Sequence, residues 1–460
     1  MTRSASLGPA LVALLLAACS KAPQPERPSL ILVSIDTLRA DHVGLYGYER
    51  ATTPFLDGWS KQALVFENAF TTAAWTLVAH MTMLTGLFPA QHGVIGQNRA
   101  LSPDIPFVAE RLRAAGYHTY ALHQKDGWIH ERHGFERGFD LFRGHVDLAQ
   151  ADAHLRELLP ELEQDRPFFL FLHLFDVHCS DLTKAKSPYE APEPYQSMFA
   201  AGLPPLPEVP LPELWESQDR LTPEQIQTLI AQYDGGIRHV DDQLKEWFEE
   251  LERRGLSQGA LMIVTADHGD ALGEHGALNH HGDSWQSALH IPLLVRPPQG
   301  VSEPKRVATP VHLGDVVPTL LDAAGLAPDE LLPGVSLLGA IPASRVIYGI
   351  KLPEAFVVKW PEKIVASPKN QFRASDLERD PEERQTVPGD KERFHELKDE
   401  ALFPGRPFPA PVQIQDLDPA TKAALDALGY GGQTGEEKSE EPKKDAGSKD
   451  PAPPAPDPPK

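Results

Sequence analysis

Residues 30–36 read LILVSID and residues 261–268 read LMIVTADH, and these two stretches decide the fold. Each stretch begins with an unbroken apolar run, as expected of a strand that is buried on both faces. Asp36 ends the first run, and Asp267 and His268 end the second. In open α/β sheets, ligands bind beyond the carboxyl ends of the strands. The two stretches therefore predict buried strands with a site at the sheet edge where they end.

Strands and helices alternate along the rest of the chain. The apolar run Phe168–Phe175 predicts a third buried strand, beside Leu30–Ile35 and Leu261–Val264. A long helix is predicted to begin at the N-cap Thr222, which precedes a proline and a capping-box glutamine, and to stop at Gly255. This alternation predicts an α/β fold: a doubly wound, mostly parallel sheet with helices on both faces.

The N-terminus has the pattern of an export signal. Residues 1–18 combine one arginine with an apolar stretch that is too short to span a bilayer. The sequence LAAC ending at Cys19 resembles a bacterial lipobox, in which the cysteine is lipidated and becomes the mature N-terminus; an ordinary cleaved signal is the alternative. Residues 19–29 would then be a lipidated linker. We expect the protein to be exported and anchored through Cys19 to a membrane of the bacterial cell envelope, in the periplasm or at the outer membrane.

Charge and composition restrict the partners. The formal net charge of −22 argues against a nucleic-acid partner, because binding to phosphates needs a clustered positive surface. Residues 433–460 are acidic, rich in proline and almost without apolar side chains, so we predict a disordered tail, with a cell-wall spacer as the alternative. Only one cysteine, Cys179, remains after Cys19, so no intrachain disulfide is expected in the mature chain.

A third polar motif, WTLVAHMTMLTG at residues 75–86, contains Thr76. Taken alone, Thr76 could simply cap a helix. Together with the two strand ends, however, it belongs to a longer ordered series. The motifs in chain order are IDTLRADHVGLYGY, TLVAHMTMLTG, GFERGFDLF, FDVH, YDGGIRHVDDQL, TADHGDALGEHG, HHGDSW, HIPLLV and DVVPTLLDAAG. In this order they resemble the sulfatase family of the alkaline-phosphatase superfamily over nearly the whole folded length.

The resemblance implies a domain arrangement and a metal. Residues 30–346 would form an alkaline-phosphatase-like catalytic domain, and residues 347–432 a smaller C-terminal α+β subdomain. One divalent metal ion would be held by four side chains: Asp36, Thr76, Asp267 and His268. Their oxygen atoms suit Ca²⁺, Mg²⁺ or Mn²⁺, and the histidine leaves Zn²⁺ open.

The same resemblance assigns catalytic residues. Typical sulfatases carry a Cys or Ser that is converted to formylglycine, but the matching position here is Thr76, so formylglycine is not expected. A threonine there resembles lipoteichoic-acid synthases and phosphoethanolamine transferases, in which it attacks phosphorus directly. His80 stands at the family's arginine, His281 where many sulfatases have lysine, and Gln124 at another lysine. His80, His178 and His281 would handle protons and the anionic group, although each could instead be a structural histidine.

The predicted function is metal-dependent hydrolysis of sulfate or phosphate esters. The substrate would be an anionic ester, with an envelope or extracellular polymer as one candidate carrier. Two alternatives stay open. One is a phosphoester hydrolase or phosphotransferase that uses Thr76 as a direct nucleophile. The other is a non-catalytic surface binding protein with a degenerate site.

Overall fold

The computed structural model describes residues 27–125, 127–164, 166–179, 187–208, 214, 221–278, 284–303, 305–327, 332–403, 408–415 and 419. The predicted export signal, Cys19, the predicted tail and His281 lie outside the described residues. No helix within the described ranges is long and apolar enough to cross a membrane.

The strands are, in chain order, β1 (Leu30–Ile35), β2 (Leu64–Phe66), β3 (Ala69–Phe70), β4 (Arg99–Ala100), β5 (His118–Gln124), β6 (Leu141–His145), β7 (Phe168–Leu174), β8 (Leu261–Ala266), β9 (His290–Ile291), β10 (Leu293–Arg296), β11 (Lys305–Val307), β12 (Val311–His312), β13 (Ile347–Lys351), β14 (Glu354–Lys359), β15 (Glu362–Ser367), β16 (Gln371–Asp376), β17 (Val387–Pro388) and β18 (Val412–Gln413). The α-helices are α1 (Pro54–Trp59), α2 (Thr76–Thr85), α3 (Pro89–His92), α4 (Val108–Ala114), α5 (Leu148–Leu162), α6 (Tyr195–Met198), α7 (Pro223–Arg253), α8 (Gln286–Leu289), α9 (Val316–Ala323) and α10 (Lys391–Leu402).

An eight-stranded sheet forms the centre of the molecule, in the order β11-β2-β10-β8-β1-β7-β5-β6. The run β8-β1-β7-β5-β6 is parallel throughout, whereas β10 is antiparallel to both of its neighbours. Helices such as α4 and α5 pack against this sheet. The predicted α/β fold with a mostly parallel sheet is thereby confirmed. β1 and β8 are buried along their whole length, which explains why both sequences are continuously apolar.

The long helix α7 follows the capping pattern seen in the sequence. The Thr222 side chain accepts from the backbone N–H of Gln225, and the Gln225 side chain accepts from the N–H of Thr222. Beyond its last residue, Gly255 takes a left-handed conformation with φ of 75°. One side of α7 is buried, including Tyr233, whose hydroxyl reaches the edge of the central sheet.

The proline-rich segment 188–212 is described only in part. Within it, α6 packs against α7. Tyr189, just after its start, donates from its hydroxyl to Asp270 Oδ2 at 2.6 Å, which ties the segment to the carboxyl edge of the central sheet.

A second, separate sheet follows in the chain. Strands β13 to β17 form an antiparallel meander in sequence order, and α10 packs against it. This small sheet and helix correspond to the expected C-terminal subdomain. The meander contacts the larger part of the protein directly, because the backbone N–H of Ile350 donates to the Thr72 carbonyl at 2.9 Å.

A buried ion pair fixes the same meander to a loop of the larger part. The Lys363 ammonium donates to Glu383 Oε2 at 2.7 Å and to the Ser284 carbonyl. Glu383 also accepts from the Ser375 hydroxyl at 2.8 Å and from the Gln286 N–H at 2.9 Å. We call Lys363, Glu383 and Ser375, with the backbone of Ser284 and Gln286, the Lys363 cluster. Its two charges are fully buried and mutually satisfied.

Candidate active site

The ends of β1 and β8 bring two acidic residues together. Ile35 pairs with Ala266 in the parallel register, so the residues that follow, Asp36 and Asp267, leave the sheet at the same level. Both side chains are fully buried. The Asp36 backbone N–H continues the ladder by donating to the Leu174 carbonyl of β7 at 2.8 Å. The strand register therefore places both carboxylates at one point of the sheet edge.

Thr76 lies beside this pair as the first residue of α2. The N-cap is Trp75, and no side chain caps the helix, so the capping role considered for Thr76 is not the one observed. The Thr76 hydroxyl instead lies 3.4 Å from Asp36 Oδ2 and 3.4 Å from His268 Nε2. It also stands at the positive end of the α2 dipole, where backbone N–H groups favour negative charge.

His268 presents one ring nitrogen to the same point. Its Nδ1–H donates to the Gly269 carbonyl at 2.8 Å, which leaves Nε2 as the lone-pair nitrogen. Nε2 lies 3.5 Å from Asp267 Oδ2 and 3.9 Å from Asp36 Oδ1. Burial lowers the pKa of His268 to about 3, so the imidazole is neutral at physiological pH. We call Asp36, Thr76, Asp267 and His268 the acidic centre.

The acidic centre fits a divalent cation. Asp36 Oδ1 and Asp267 Oδ2 are buried and have no hydrogen-bond partner among the described residues. Burial raises the pKa of Asp36 well above its usual range, and the neighbouring charges of Asp267 and Asp270 raise it further; burial also raises the pKa of Asp267. Ligand atoms of the two carboxylates and of His268 lie within 4.8 Å of one another. A cation at this point would offset the repulsion between the carboxylates, and the mixed oxygen and nitrogen donors suit Ca²⁺, Mg²⁺, Mn²⁺ or Zn²⁺.

His80 lies one helical turn after Thr76 and is held by fixed partners. Its Nδ1 is 2.9 Å from the Thr76 carbonyl and 3.5 Å from Asp267 Oδ2, and its Nε2 is 2.9 Å from Ser34 Oγ. A carbonyl only accepts, so Nδ1 carries the hydrogen and the Ser34 hydroxyl donates to Nε2. Burial lowers the pKa of His80, which keeps the ring neutral. The structure thus places His80 behind Thr76 and Asp267, where it orients both.

His173 on β7 is a site residue that the sequence analysis missed. Its Nε2 lies 3.1 Å from Asp36 Oδ2, and its Nδ1 accepts the Gln124 backbone N–H at 3.4 Å. Burial, with smaller effects from His80 and other histidines, lowers its pKa well below the usual value. The available signal was one histidine in the otherwise apolar strand FFLFLHL.

His80, His173 and Asp267 also form a group whose ligand atoms lie within 4.8 Å of one another. The hydrogen bonds of both imidazoles, however, already engage the nitrogens that a metal would need. The acidic centre is therefore the better candidate for a metal, and His80 and His173 contact its residues from outside.

Of the other predicted residues, His178 and Gln124 are among the described residues and His281 is not. His178 is buried, donates from Nδ1 to the Cys179 carbonyl at 2.8 Å, and stacks on Phe175 with ring centres 4.1 Å apart. Gln124 is buried at the end of β5, and the side chain of Lys125 is exposed. His281 lies in residues 279–283, outside the described part of the chain.

The turn after β1 has a strained backbone and helps to position Asp36 and Asp267. Thr37 has φ of 56°, a left-handed conformation that costs free energy for a β-branched residue. Its N–H donates to Asp267 Oδ1 at 3.2 Å, and its carbonyl accepts from the Tyr233 hydroxyl at 2.7 Å. The same hydroxyl accepts the Arg39 N–H at 3.0 Å. Hydrogen bonds at both its N–H and its carbonyl therefore hold Thr37 in this strained conformation beside the acidic centre.

Known proteins resemble this chain in sequence and in fold. The family described as Sulfatase matches residues 28–326. An arylsulfatase of Clostridium perfringens is 22% identical over an aligned length of 441 residues, and the match covers 78% of this chain and 89% of that protein. The crystal structure of a phosphonate monoester hydrolase of Agrobacterium radiobacter superposes with a TM-score of 0.65 and 21% identity. The superposition covers 85% of this chain and 100% of the other. The structure of a 2-O GAG sulfatase superposes with a TM-score of 0.64 and 19% identity, covering 82% of this chain and 90% of the other.

Proposed function

This chain belongs to the sulfatase family, and we propose that it is a metal-dependent hydrolase of sulfate esters in which Thr76 is the nucleophile. One observation carries the proposal: the Thr76 hydroxyl lies 3.4 Å from both Asp36 Oδ2 and His268 Nε2 in a fully buried acidic centre. A nucleophile needs a nearby proton acceptor and an environment that stabilises its alkoxide. Both are present at the start of α2.

The metal would be bound by the acidic centre. Asp36 Oδ1 and Asp267 Oδ2, which have no hydrogen bond from the described part of the chain, support this assignment together with the lone pair of His268 Nε2. When bound, a divalent cation lowers the pKa of a hydroxyl that it contacts and stabilises charge on the ester oxygens. His173 and His80 hold Asp36 and Asp267 in the orientation that binding needs.

The side chains of this protein then divide the reaction into two steps. Thr76 Oγ1 attacks the sulfur while its proton passes to Asp36 Oδ2; the new O–S bond forms and the S–O bond to the alcohol breaks. The alcohol leaves with a proton, for which His178 and His281 are the proposed donors. Water then gives one proton to the same histidine and attacks the sulfur; the O–S bond to Thr76 breaks, Asp36 returns its proton to Thr76 Oγ1, and hydrogen sulfate leaves. Thr76 is the first residue of α2, where the positive end of the helix dipole favours the negative charge that develops in both steps.

The nucleophile is tested with a pair of substitutions of similar size. Thr76→Val keeps the shape of the side chain but removes the hydroxyl, whereas Thr76→Ser keeps the hydroxyl. Each metal-loaded protein is assayed with 4-nitrophenyl sulfate, and the reaction is quenched so that mass spectrometry can detect a sulfuryl group on residue 76. We expect turnover in the serine variant and none in the valine variant. Turnover that survives Thr76→Val would remove Thr76 from the mechanism.

A phosphate or phosphonate ester is the second candidate substrate. It is favoured by a threonine where the family has a formylglycine precursor, since a threonine alkoxide can attack phosphorus directly. A likeness in fold to a phosphonate monoester hydrolase is consistent with this option. Parallel assays with 4-nitrophenyl phosphate and 4-nitrophenyl phenylphosphonate decide between the ester classes.

The same assays test the two other candidate functions. A rate that depends on an added alcohol acceptor would indicate a transferase. No metal and no turnover would indicate a binding protein.

We further propose that the protein is exported and lipid-anchored at Cys19, so that it meets esters on envelope or extracellular polymers. The support is the sequence of residues 1–19, with a short apolar stretch before the lipobox-like LAAC. Expression in a bacterium with labelled fatty acid should label the wild-type protein, and Cys19→Ser should remove the label. Equal labelling of both proteins would contradict the anchor.

A further inference from the structure

Tyr233 is a fully buried residue of α7, in the motif YDGGIRHVDDQL, and it takes no part in the proposed reaction. Its hydroxyl bonds to two backbone groups of the turn after β1. The hydroxyl donates to the Thr37 carbonyl at 2.7 Å and accepts the Arg39 N–H at 3.0 Å. A tyrosine hydroxyl can form both bonds at once, because it carries one hydrogen and accepting lone pairs. One side chain of α7 therefore bridges the turn that begins at Asp36.

This turn connects the two carboxylates of the acidic centre. Thr37 directly follows Asp36, and its N–H donates to Asp267 Oδ1 at 3.2 Å. Its φ of 56° is unfavourable for a β-branched residue, so the turn keeps its shape only while its surroundings hold it. Without the Tyr233 hydroxyl, we expect the turn to relax and the bond from the Thr37 N–H to Asp267 to weaken. The relative position of Asp36 and Asp267 would change with it.

The Tyr233 side chain is itself held in place. Its ring contacts two other rings edge to face, with ring centres 5.1 Å from His42 and 5.2 Å from Tyr189. The next residue of α7, Asp234, is fully buried and bonds to His42 at 2.7 Å and to Arg50 at 2.7 Å. A hydroxyl on such a fixed side chain can hold a strained turn, whereas a mobile one would move with it.

We propose that Tyr233 is a positioning residue of the acidic centre: through the Thr37 turn, its hydroxyl keeps Asp36 and Asp267 at the spacing that binds a divalent cation. The inference rests on the proposed function for the presence of the metal. It does not depend on the ester class or on which residue is the nucleophile. The hydroxyl acts on backbone groups, so its effect reaches the two carboxylates through Thr37.

The first test removes the hydroxyl and keeps the ring. Tyr233→Phe is compared with the control Tyr46→Phe. The Tyr46 hydroxyl also bridges two backbone groups, since it donates to the Phe66 carbonyl at 2.9 Å and accepts the Leu293 N–H at 3.0 Å. Binding of Mn²⁺ to the metal-free proteins is measured by calorimetry, without substrate. We expect Tyr233→Phe to raise the Kd of Mn²⁺ by about 10–100-fold, as for other residues that orient metal ligands, and Tyr46→Phe to leave it unchanged.

The second test follows the turn itself in the metal-free proteins. Hydrogen exchange of a peptide that spans residues 36–41 reports on the N–H groups of Thr37 and Arg39. We expect faster exchange in Tyr233→Phe and wild-type exchange in Tyr46→Phe. Adding Thr37→Gly to Tyr233→Phe should restore part of the Mn²⁺ affinity, because glycine takes a φ of 56° at little cost.

A further comparison applies if Tyr233→Phe does not fold, as judged by circular dichroism. The double variant then replaces it, and Thr37→Gly alone becomes the reference. Exchange of the same peptide should still be faster in the double variant, because the Arg39 N–H has lost its acceptor. Equal exchange in these two proteins would contradict the role of the hydroxyl.

The proposal requires a weaker Mn²⁺ affinity and a faster exchange together. It is overturned if Tyr233→Phe keeps the wild-type value of either, if Tyr46→Phe changes both as much, or if Thr37→Gly restores no affinity. Because neither measurement involves turnover, failure of the proposed function is distinguishable from failure of this inference. A wild-type protein that binds Mn²⁺ but turns over no ester would contradict the proposed function alone, whereas one that binds no Mn²⁺ would overturn both.

Discussion

The acidic centre and the Lys363 cluster are both buried, but they carry charge in opposite ways. In the Lys363 cluster, one ammonium faces one carboxylate at 2.7 Å, and Glu383 has further donors in Ser375 and Gln286. In the acidic centre, two carboxylates share a small volume, and Asp36 Oδ1 and Asp267 Oδ2 have no hydrogen bond within the described residues. A buried pair that is complete stabilises one arrangement of the chain, whereas an incomplete one needs a ligand from outside. The first is therefore expected to control stability and the second to control chemistry.

The largest effect is expected when one proposed metal ligand is removed from the acidic centre. Asp267→Asn should lower kcat by about 10³-fold or more, because a metal contributes several kcal/mol of transition-state stabilisation. A chelator should have the same effect on the wild-type protein, and added metal should reverse it. The measurement is ester turnover with metal content determined by mass spectrometry. Asp104→Asn, an exposed carboxylate, serves as the control. An Asp267→Asn protein with full metal content and full rate would contradict the assignment.

The opposite result is expected in the Lys363 cluster. Lys363→Met should lower the free energy of unfolding by about 3–5 kcal/mol, because it leaves the Glu383 carboxylate buried without its cation. Adding Glu383→Gln should recover a large part of this loss, since the glutamine keeps an acceptor for Ser375. Urea unfolding measures both effects, and kcat of the folded protein should stay unchanged.

The control for the Lys363 cluster is an exposed ion pair of the same subdomain. Lys359→Met, which removes the partner of Glu400, should cost less than about 1 kcal/mol. Equal losses in Lys359→Met and Lys363→Met would show that burial of the pair does not matter.

A smaller effect on chemistry is expected from a residue that orients the acidic centre. His173→Gln removes the imidazole that lies 3.1 Å from Asp36 Oδ2, and should weaken metal affinity and lower turnover by about 10–100-fold. Metal titrations followed by assays at saturating metal separate the two losses. His395→Gln, at an exposed position, should change neither. If saturating metal leaves the His173→Gln rate at the wild-type value, His173 affects binding alone.

The last predicted effect is a gain in stability without metal. Burial raises the pKa of Asp36 above its value in the unfolded chain, so the metal-free protein should lose stability as the pH rises through the folded pKa. Asp36→Asn removes this ionisation and should stabilise the metal-free protein by about 1–3 kcal/mol at pH 8. With metal present, the order of the two proteins should reverse. Unfolding at pH 5 and at pH 8, with and without metal, checks the sign of each difference.

Much of the fold around the acidic centre could be predicted from local sequence. An apolar run that ends in an acidic residue places that residue at the carboxyl edge of a parallel sheet, and the pairing of Ile35 with Ala266 produces the expected meeting of Asp36 and Asp267. The capping box at Thr222 likewise predicted the start of α7, because a cap is satisfied by residues three positions apart.

Contacts between distant positions were not predictable in this way. His173 is 137 residues from Asp36, and nothing in the local sequence distinguishes a histidine that bonds a buried carboxylate from one that fills a core. For Thr76, a shift of one position decides whether the hydroxyl caps the helix or faces the acidic centre, and helix ends in sequence are not defined to one residue.

The hydroxyl that faces Asp36 and His268 belongs to the unmodified threonine side chain of Thr76. No chemical modification of the chain is needed to place an oxygen there. With Thr76 as the proposed nucleophile, recombinant protein should be active from any host that folds the chain and supplies the metal, with or without a maturation enzyme. In the proposed mechanism no oxidation step precedes the first turnover, so the specific activity of preparations from aerobic and anaerobic cultures should also agree. For a laboratory that wants to evolve new ester specificities, this makes the whole catalytic apparatus accessible to simple mutagenesis.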